Sequence, residues 1–427
     1  MQVSQLIERI NNGYWDSTIK SLYPQKCVQN RKERILKLAN EFIELYGDKD
    51  VCLFSVPGRT ELSGNHTDHN NGRVLAASVD IDILSIASKS NDKAVRIKSA
   101  GYREDVVDIS SPSPDNVRKG SSSALIAGIA DYFDKNGYIS GGFYACTTSE
   151  VMTGSGLSSS AAFEVMCARI MSEFYNNGKV SAIELAKAGK YAENEFFGKP
   201  CGLMDQAACA SGGCLWMDFE DGVNPITEKI DFDISKYGYC LCIVNTGGNH
   251  ADLTDDYASV PAEMHSIATL MGKNVLRSCD EDDFMGRICY MRSLVGDRAI
   301  MRAMHYFAEN KRVDKQKEAL KSGDIDGYLE LVKQSGDSSF KFLQNVYTNH
   351  NVSEQGISLA LAITERFGAV CRVHGGGFAG TIQAYVKTDD VESYKKTIEA
   401  VFGEGSCNVY TIRPYGAAAV TENEIKG

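Results

Sequence analysis

A short run of glycines and serines carries the clearest chemical signal in the chain: Gly154-Ser155-Gly156-Leu157-Ser158-Ser159-Ser160. It lies between a predicted strand at 142–148 and an apolar segment with the spacing of one helical face. The first N–H groups of a helix have no partner within the helix, and the helix dipole favours negative charge there. The turn is therefore suited to phosphate, and its hydroxyls add donors or oxygen ligands for Mg²⁺.

Two common nucleotide-binding motifs do not fit this turn. No Gly-Lys-Ser/Thr follows it, so it is not a Walker loop, and the third glycine of a dinucleotide fingerprint is missing. The alternative to a phosphate site is an ordinary glycine–serine loop in front of a core helix.

Two further stretches hold polar side chains that packing does not explain. Residues 57–72 include Arg59, His66 and Asp68 within a dozen positions. An aspartate accepts hydrogen bonds from two sugar hydroxyls and an arginine donates in a fixed fork, so the segment suits a ligand with many hydroxyls. The alternative is a solvated loop between strands. Asp205 is the acid of the small-residue segment 201–207, and such an acid is either a helix N-cap or functional.

The hydrophobic pattern predicts alternating helices and strands that position these residues. The predicted helices are 1–47, 122–133, 163–174, 181–193, 257–276, 283–308, 313–322, 325–348 and 391–402. The predicted strands are 51–56, 74–83, 94–99, 142–148, 239–244, 369–373, 381–386 and one near 409. A glycine-rich bend at 374–380 joins two strands, where backbone can approach a ligand closely. Long helices replace the α/β alternation after residue 240, so we predict domains at 1–240 and 241–427.

Composition excludes several classes of protein. The chain has 427 residues and a net charge of -11, which argues against a nucleic-acid partner. No apolar run is long enough to span a bilayer, and the N-terminus lacks a signal-peptide pattern. The 13 cysteines are scattered, and Cys240 and Cys242 are expected to be small apolar residues of a strand. We expect a cytoplasmic protein with small-molecule partners and no membrane contact, as a monomer or weak homo-oligomer.

Four motifs in order give the chain a resemblance to galactokinases of the GHMP small-molecule kinase superfamily. The segment 58–68 looks like the galactokinase signature, 154–162 like the ATP-binding motif, 201–206 like the loop with the catalytic aspartate, and 375–380 like the third, glycine-rich motif. The resemblance covers nearly the whole chain. It implies an α+β fold with an N-terminal α/β domain that contains a ribosomal-protein-S5-like motif. It also implies a C-terminal ferredoxin-like domain, with the active site between the two.

The resemblance also implies a role for each matching residue, with ATP and Mg²⁺ as cofactors and galactose as the sugar. Asp205 would face the anomeric hydroxyl, and Arg59 would lie between Asp205 and the phosphates. The other implied roles are phosphate binding by Gly154, Ser155, Gly156, Leu157, Ser158, Ser159 and Ser160, Mg²⁺ binding by Ser160 and Glu193, and sugar binding by Asn65, His66, Asp68, Gly202 and Tyr257.

Phosphoryl transfer asks a protein mainly for positioning and charge stabilisation. The helix N-terminus, a metal ion and Arg59 would supply these here. Because an opposite charge favours the carboxylate, Arg59 should lower the pKa of Asp205. Asp205 would then accept the hydroxyl proton or only orient the hydroxyl, and the sequence does not decide between these roles.

The signature departs from the usual family pattern at four positions. The family usually has Asn at Glu61, an aliphatic residue at Ser63, Glu at Asn65 and Tyr at His69. The Glu usual at position 65 contacts the sugar near its 6-hydroxyl, so Asn65 points to weaker binding or a changed preference around C4 to C6. Three alternatives remain: a kinase for another monosaccharide such as N-acetylgalactosamine, a GHMP kinase for mevalonate or homoserine, and a non-catalytic sensor that binds galactose and ATP.

Overall fold

The computed structural model describes residues 1–24, 26–151, 156–248, 253–378 and 380–427. Its helices are α1 Val3–Asn11, α2 Asp16–Leu22, α3 Val28–Tyr46, α4 Ser122–Lys135, α5 Ser159–Tyr175, α6 Ala182–Tyr191, α7 Met204–Ser211, α8 Thr254–Leu270, α9 Glu281–Ser322, α10 Ile325–Ser338, α11 Gly356–Phe367 and α12 Val391–Phe402. Its strands are β1 Cys52–Ser63, β2 Arg73–Lys89, β3 Ala94–Ser99, β4 Asp105–Asp108, β5 Phe143–Ser149, β6 Cys214–Asp218, β7 Ile226–Ile230, β8 Tyr239–Asn245, β9 Val370–His374, β10 Thr381–Lys387, β11 Cys407–Tyr410, β12 Ala418–Val420 and β13 Ile425–Lys426.

The larger sheet has the strand order β13-β12-β1-β2-β5-β3-β4, and β6 pairs with both β2 and β7. Side chains alternate between the two faces of a strand, and β2 shows this clearly. Ile81 and Ile83 join the core beneath α4 to α7, whereas Leu84 and Ile86 join a second core beneath α1 to α3. The predicted N-terminal helical segment is confirmed, and it covers this second face.

The smaller sheet has the order β11-β8-β10-β9, and all its pairs are antiparallel. Helices α11 and α12 pack on one face, where Val373, Ile382 and Tyr394 are buried. Helix α10 packs against the other face, where Tyr328 and Tyr385 are in contact through their hydroxyls at 2.7 Å. Cys240 and Cys242 lie in β8, as predicted, and they pack in the core beneath α11 and α12. None of the 13 cysteines is in a disulfide.

The C-terminal residues return to the larger sheet. Strand β12 pairs antiparallel with β1, which aligns Phe54 with Ala419. Just before it, the buried Arg413 donates from Nη1 to Ser55 Oγ at 2.8 Å and contacts Asp82 Oδ2 at 3.2 Å. The division at residues 240 and 241 stays a prediction. Any such division must assign the last residues of the chain to the sheet of the N-terminal half.

Several elements differ from the prediction: β2 runs to Lys89, α10 ends at Ser338 and not at 348, and α11 was not predicted. Strand β1 runs to Ser63 with irregular register at 57–59 and 61–63, so Arg59 and Glu61 lie on a strand and not in a loop. Helix α9 is continuous through 309–312, where a break was predicted, and it bends at Gly296. Asp205 lies in the first turn of α7 and is not its N-cap, which is Leu203. Among the described helices, none has the length and apolar character needed to cross a membrane.

Candidate active site

The glycine–serine turn leads directly into α5, as its sequence predicts. Gly156 and Ser158 have φ values of 72° and 58°, in the left-handed region, and the helix begins at Ser159. Leu157 is buried, and its carbonyl accepts from the backbone N–H of Arg59 at 3.1 Å. Ser159 and Ser160 are half-buried in the first helical turn. Gly154 and Ser155 lie outside the described residues, as does Ala379 in the glycine-rich bend, so their predicted roles stay predictions.

Arg59 joins this turn to Asp205. Its Nε donates to Asp205 Oδ1 and its Nη2 to Asp205 Oδ2, each at 2.7 Å, while its Nη1 donates to the carbonyl of Gly156. Ser158 Oγ also donates to Asp205 Oδ2. Arg59 is 7% exposed at its side chain and Asp205 is 32% exposed, so the carboxylate is the member of the pair that a ligand can reach.

Burial alone would raise the pKa of Asp205, since it disfavours the charged form. The Arg59 charge, the Arg59 hydrogen bonds and the Ser158 hydroxyl outweigh burial, so the pKa lies below its usual value. The predicted direction is therefore confirmed. Asp205 is a carboxylate at neutral pH and can accept a hydrogen bond from a hydroxyl ligand.

Glu193, one of the two predicted metal ligands, lies in the π-helical turn Ala192–Phe197 that continues α6. Its carboxylate accepts from Lys199 Nζ and from Gln206 Nε2, each at 3.1 Å. Gln206 also donates to Glu164 Oε2 at 3.0 Å. Ser160 precedes Glu164 by four residues on α5, so both lie on the same helical face, towards Gln206 and Glu193.

A hydroxyl and a carboxylate fit Mg²⁺, which prefers oxygen ligands and takes few from the protein when phosphates supply the others. One observation supports the fit: Glu164 Oε1 and Gln206 Oε1 are buried without a hydrogen-bond partner in the described residues. Within those residues, however, no group of three His, Cys, Asp or Glu side chains is arranged to hold a metal ion. A cation here would therefore depend on nucleotide phosphates for its remaining ligands.

The side chain of Asp68 lies directly against Gly202. A Cβ atom on Gly202 would lie 2.1 Å from Asp68 Oδ2, so only glycine leaves room for this carboxylate. Gly202 is three residues before Asp205, and Asp68 is mostly buried, with 13% of its side chain exposed. The structure thus brings these two predicted sugar-binding residues together, with Gly202 close in sequence to Asp205.

The other three predicted sugar-binding residues contact the glycine-rich bend. Asn65 Nδ2 donates to the carbonyl of Gly375 at 2.6 Å, and Tyr257 Oη donates to the carbonyl of Gly377 at 2.7 Å. His66 Nε2 lies 3.0 Å from the carbonyl of Gly376, so this nitrogen carries the proton.

Several residues that support the signature segment were not identified from the sequence. Glu61 forms a buried ion pair with Arg372 of β9 at 2.6 Å, and it also accepts from Asn65 Nδ2 at 3.0 Å. From α9, Glu309 accepts from Ser63 Oγ at 3.1 Å and from the N–H of Gly64 at 3.0 Å. A signal was present in the sequence for Arg372 alone, because it is a charged residue inside the strand predicted at 369–373.

A cavity of about 670 Å³ lies at the segment that leads into α4. It is lined by residues between Val106 and Ala127, including Arg118 and the N-cap Ser121 of α4. The N–H of Gly120 donates to the carbonyl of Phe197 at 3.1 Å, which ties the cavity wall to the turn that carries Glu193. Its size suits a small organic ligand.

Comparisons with known proteins agree with this geometry. Residues 40–89 match the model "Galactokinase galactose-binding signature", and residues 124–213 match "GHMP kinases N terminal domain". A galactokinase of Glaesserella parasuis is 30% identical over 370 residues, which are 84% of this chain and 91% of the relative. A galactokinase of Streptomyces coelicolor is 29% identical, over 86% of this chain and 92% of the relative. The crystal structure of Lactococcus lactis galactokinase complexed with galactose has a TM-score of 0.76 and 26% identity, covering 89% of this chain and 98% of that one.

Proposed function

Because the chain belongs to the galactokinase family of GHMP kinases, we propose that its cleft transfers the γ-phosphoryl group of ATP to the anomeric hydroxyl of galactose, giving galactose 1-phosphate and ADP. The α+β, two-domain GHMP-kinase fold expected from the sequence is confirmed by the galactokinase structure that this chain resembles. The observation that carries the catalytic assignment is the fork of Arg59 on Asp205, because the same guanidinium also contacts Gly156 in the phosphate turn.

The residue roles follow from this arrangement. The N-terminal turn of α5, with Ser159 and Ser160, receives the phosphates, and Arg59 offsets the charge that develops on the transferred group. Asp205 accepts a hydrogen bond from the anomeric hydroxyl. The sugar oxygen forms its bond to the γ-phosphorus while the bond from that phosphorus to the β–γ bridging oxygen breaks, and ADP leaves.

The proton of the sugar hydroxyl moves to Asp205 late in this sequence. A carboxylate whose pKa is lowered by Arg59 is a weak base towards a free hydroxyl. The hydroxyl becomes far more acidic once its oxygen is bonded to phosphorus. Asp205 therefore orients the hydroxyl first and takes its proton as the new bond forms.

Ser160 and Glu193 would hold Mg²⁺, in line with their oxygen donors, and the ion would neutralise charge on the β- and γ-phosphates when bound. Lys199 and Gln206 hold the carboxylate of Glu193 in place without it. The cavity at the start of α4 has a size suited to the nucleoside of ATP, and the hydrogen bond from Gly120 to Phe197 connects its wall to the turn that carries Glu193. Asp68 and Gly202 would contact the sugar at the other end of the cleft.

We further propose a cytoplasmic protein with small-molecule partners only. Thirteen unpaired cysteines suit a reducing compartment, and a net charge of -11 disfavours nucleic acid. We expect a monomer or a weak homo-oligomer, which sedimentation would test.

A second candidate function is phosphorylation of another galactose-like sugar, such as N-acetylgalactosamine. One observation favours it: Asn65 uses both amide protons on Glu61 and Gly375 and its oxygen on Asn345 Nδ2, which donates at 2.7 Å. Asn65 therefore has no amide proton left to donate, and it is fully buried, so a sugar hydroxyl does not reach its side chain in this conformation. Discrimination around C4 to C6 would then rest on Asp68 and on neighbouring backbone.

The test is ADP release from the purified chain with ATP and Mg²⁺ across galactose, 2-deoxygalactose, galactosamine and N-acetylgalactosamine, with product identity from ³¹P NMR. We expect turnover of galactose to a 1-phosphate. If galactose is inert and another sugar of the panel is phosphorylated, the second candidate replaces the first. If nucleotide and sugar bind but no sugar releases ADP, the chain is a sensor and both kinase proposals fail.

A further inference from the structure

A chain of buried hydrogen bonds links Gln383 and Thr381 of β10 through Thr60 and His374, and the donor and acceptor of each bond can be assigned. Gln383 Nε2 donates to the carbonyl of Glu61 at 3.1 Å, which fixes the amide orientation because a carbonyl only accepts. The same nitrogen donates to Thr60 Oγ1 at 2.8 Å. The hydroxyl oxygen of Thr60 therefore accepts from Gln383, and the Thr60 hydroxyl can donate its own proton to another group.

The next member is His374, at the end of β9. Its Nε2 lies 3.4 Å from the backbone N–H of Glu61 and 3.0 Å from Thr60 Oγ1. Because a backbone N–H only donates, Nε2 must be the unprotonated acceptor of the ring. Thr60 then donates to it, and the ring proton of a neutral His374 is on Nδ1.

The imidazole of His374 is neutral in the folded chain. Burial lowers the pKa of His374 well below its usual value, and the charges of Arg59 and Arg372 lower it further, against an opposing effect of Asp205. His374 is 2% exposed, so no solvent competes for its ring nitrogens.

The relay ends on Thr381, which faces His374 across the β9–β10 ladder. His374 Nδ1 is 3.0 Å from Thr381 Oγ1, so the ring N–H donates and the hydroxyl accepts. The hydroxyl proton of Thr381 has no acceptor among the described residues. A Cβ atom on Gly156 would lie 2.6 Å from Thr381 Oγ1, so this hydroxyl is directly against the phosphate turn.

We propose that Thr381 is a nucleotide-facing residue whose hydroxyl donates to a phosphoryl oxygen of ATP held at the turn of Gly156, and that His374 is the positioning residue that directs this proton. Because Gln383, Thr60 and His374 fix the direction of each hydrogen bond, the hydroxyl proton of Thr381 remains available for donation. It lies at the turn where an anionic ligand is expected. This inference rests on the proposed function only in taking the turn as the nucleotide site. It is independent of which sugar is phosphorylated.

The test is calorimetric binding of AMP-PNP, ADP and AMP to the full-length chain without sugar. Thr381→Val removes the hydroxyl at nearly constant shape, and Thr381→Ser is the matched control that keeps it. Since a hydrogen bond to a charged group is worth about 10-fold or more in affinity, we expect Thr381→Val to weaken AMP-PNP by about 10-fold. AMP should change by less than about 2-fold, because it lacks the β- and γ-phosphates, and Thr381→Ser should stay within about 3-fold of the parent.

The positioning role of His374 has its own readout. His374→Leu should weaken AMP-PNP by a few-fold, and in the Thr381→Val background it should have no further effect on affinity, because it acts through the hydroxyl. Imidazole ¹⁵N NMR of the parent chain, assigned by the signal that His374→Leu removes, should show the Nδ1–H tautomer. This measurement decides the relay even where Thr381→Val does not fold.

Two outcomes overturn the proposal: an AMP-PNP affinity in Thr381→Val equal to that of the parent, or an Nε2–H tautomer at His374. Failure of the sugar assignment looks different, because nucleotide affinity would still fall in Thr381→Val while no galactose is phosphorylated.

Discussion

Arg59 and Asp205, 146 residues apart in the chain, form a two-pronged ion pair with both N···O distances at 2.7 Å. The pair joins β1 to α7, and Arg59 alone also contacts the carbonyl of Gly156. The guanidinium therefore orients the carboxylate and connects it to the glycine–serine turn.

The first prediction concerns this pair. Asp205→Asn keeps the shape but removes the proton acceptor, and Arg59→Ala removes the charge that faces the phosphates. We expect each to lower kcat by about 100-fold or more, because loss of a general base typically costs about 10²–10⁴-fold and loss of a charge-stabilising donor about 10²–10³-fold. Measurements of ADP release, with circular dichroism to confirm folding, check this. A folded variant with near-normal turnover would remove that residue from the mechanism.

The second prediction concerns Gly202. In Gly202→Ala the new methyl group would lie 2.1 Å from Asp68 Oδ2, so the carboxylate must move while the backbone stays. We expect the KM for the sugar to rise by about 10-fold, as a lost hydrogen bond to a charged group would cause, with nucleotide affinity unchanged. Gly286→Ala on α9 is the matched control, since a methyl group there has nothing within 4 Å. Equal KM values in the two variants would argue against a sugar site at Asp68.

The third prediction concerns the buried contact between Glu61 and Asn65. Asn65→Glu replaces two donated hydrogen bonds with a second carboxylate beside Glu61, and Arg372 can neutralise only one of the two. We expect a loss of about 3–5 kcal/mol in the free energy of unfolding, the usual cost of an unpaired buried charge.

A double-mutant cycle sharpens this test. Glu61→Asn with Asn65→Glu restores one acid and one amide to the pair, so the double variant should be more stable than the sum of the single effects by about 2 kcal/mol. Urea unfolding of the four proteins measures the coupling. Additive effects would show that the two side chains do not interact in solution.

The fourth prediction concerns pH and His66. Burial, helped by the nearby His69 and His305 and opposed by Gly376 and Asp68, lowers its pKa from 6.5 to about 4. The unfolded chain takes up this proton below about pH 6.5, whereas the folded chain resists it until about pH 4. Stability should therefore fall as the pH drops through this window. At pH 5 the contribution is about 1–2 kcal/mol.

The control for this pH effect is His66→Gln, which cannot titrate. Its loss of unfolding free energy between pH 7 and pH 5 should be smaller than that of the parent by the same 1–2 kcal/mol. Identical losses in the two proteins would show that His66 titrates normally in the folded state.

Local patterns and the four motifs predict much of the fold and the central pair of the site. A glycine–serine turn before an apolar helix predicts where α5 starts, and the order of the motifs predicts that Arg59 and Asp205 meet. Glu61 and Arg372 are different, because their pairing joins strands 311 residues apart and leaves no periodic signal in either. The same holds for the relay through His374.

Helix α9 shows why one boundary was wrong. The break predicted between 308 and 313 falls on a polar run, Glu309 to Arg312. In the structure Glu309 is fully buried because it accepts bonds from Ser63 and Gly64, and Asn310 Oδ1 accepts from the N–H of Arg73 at 2.7 Å. These polar residues stay in the helix because their partners are supplied by a distant part of the chain.

The pairing of β12 with β1 has a consequence for synthesis. The ribosome makes β1 long before its neighbour at residues 418–420. Until those residues have emerged, β1 presents an unpaired edge that can join a neighbouring nascent chain. A product truncated before β12 would keep that unpaired edge and would be prone to aggregate.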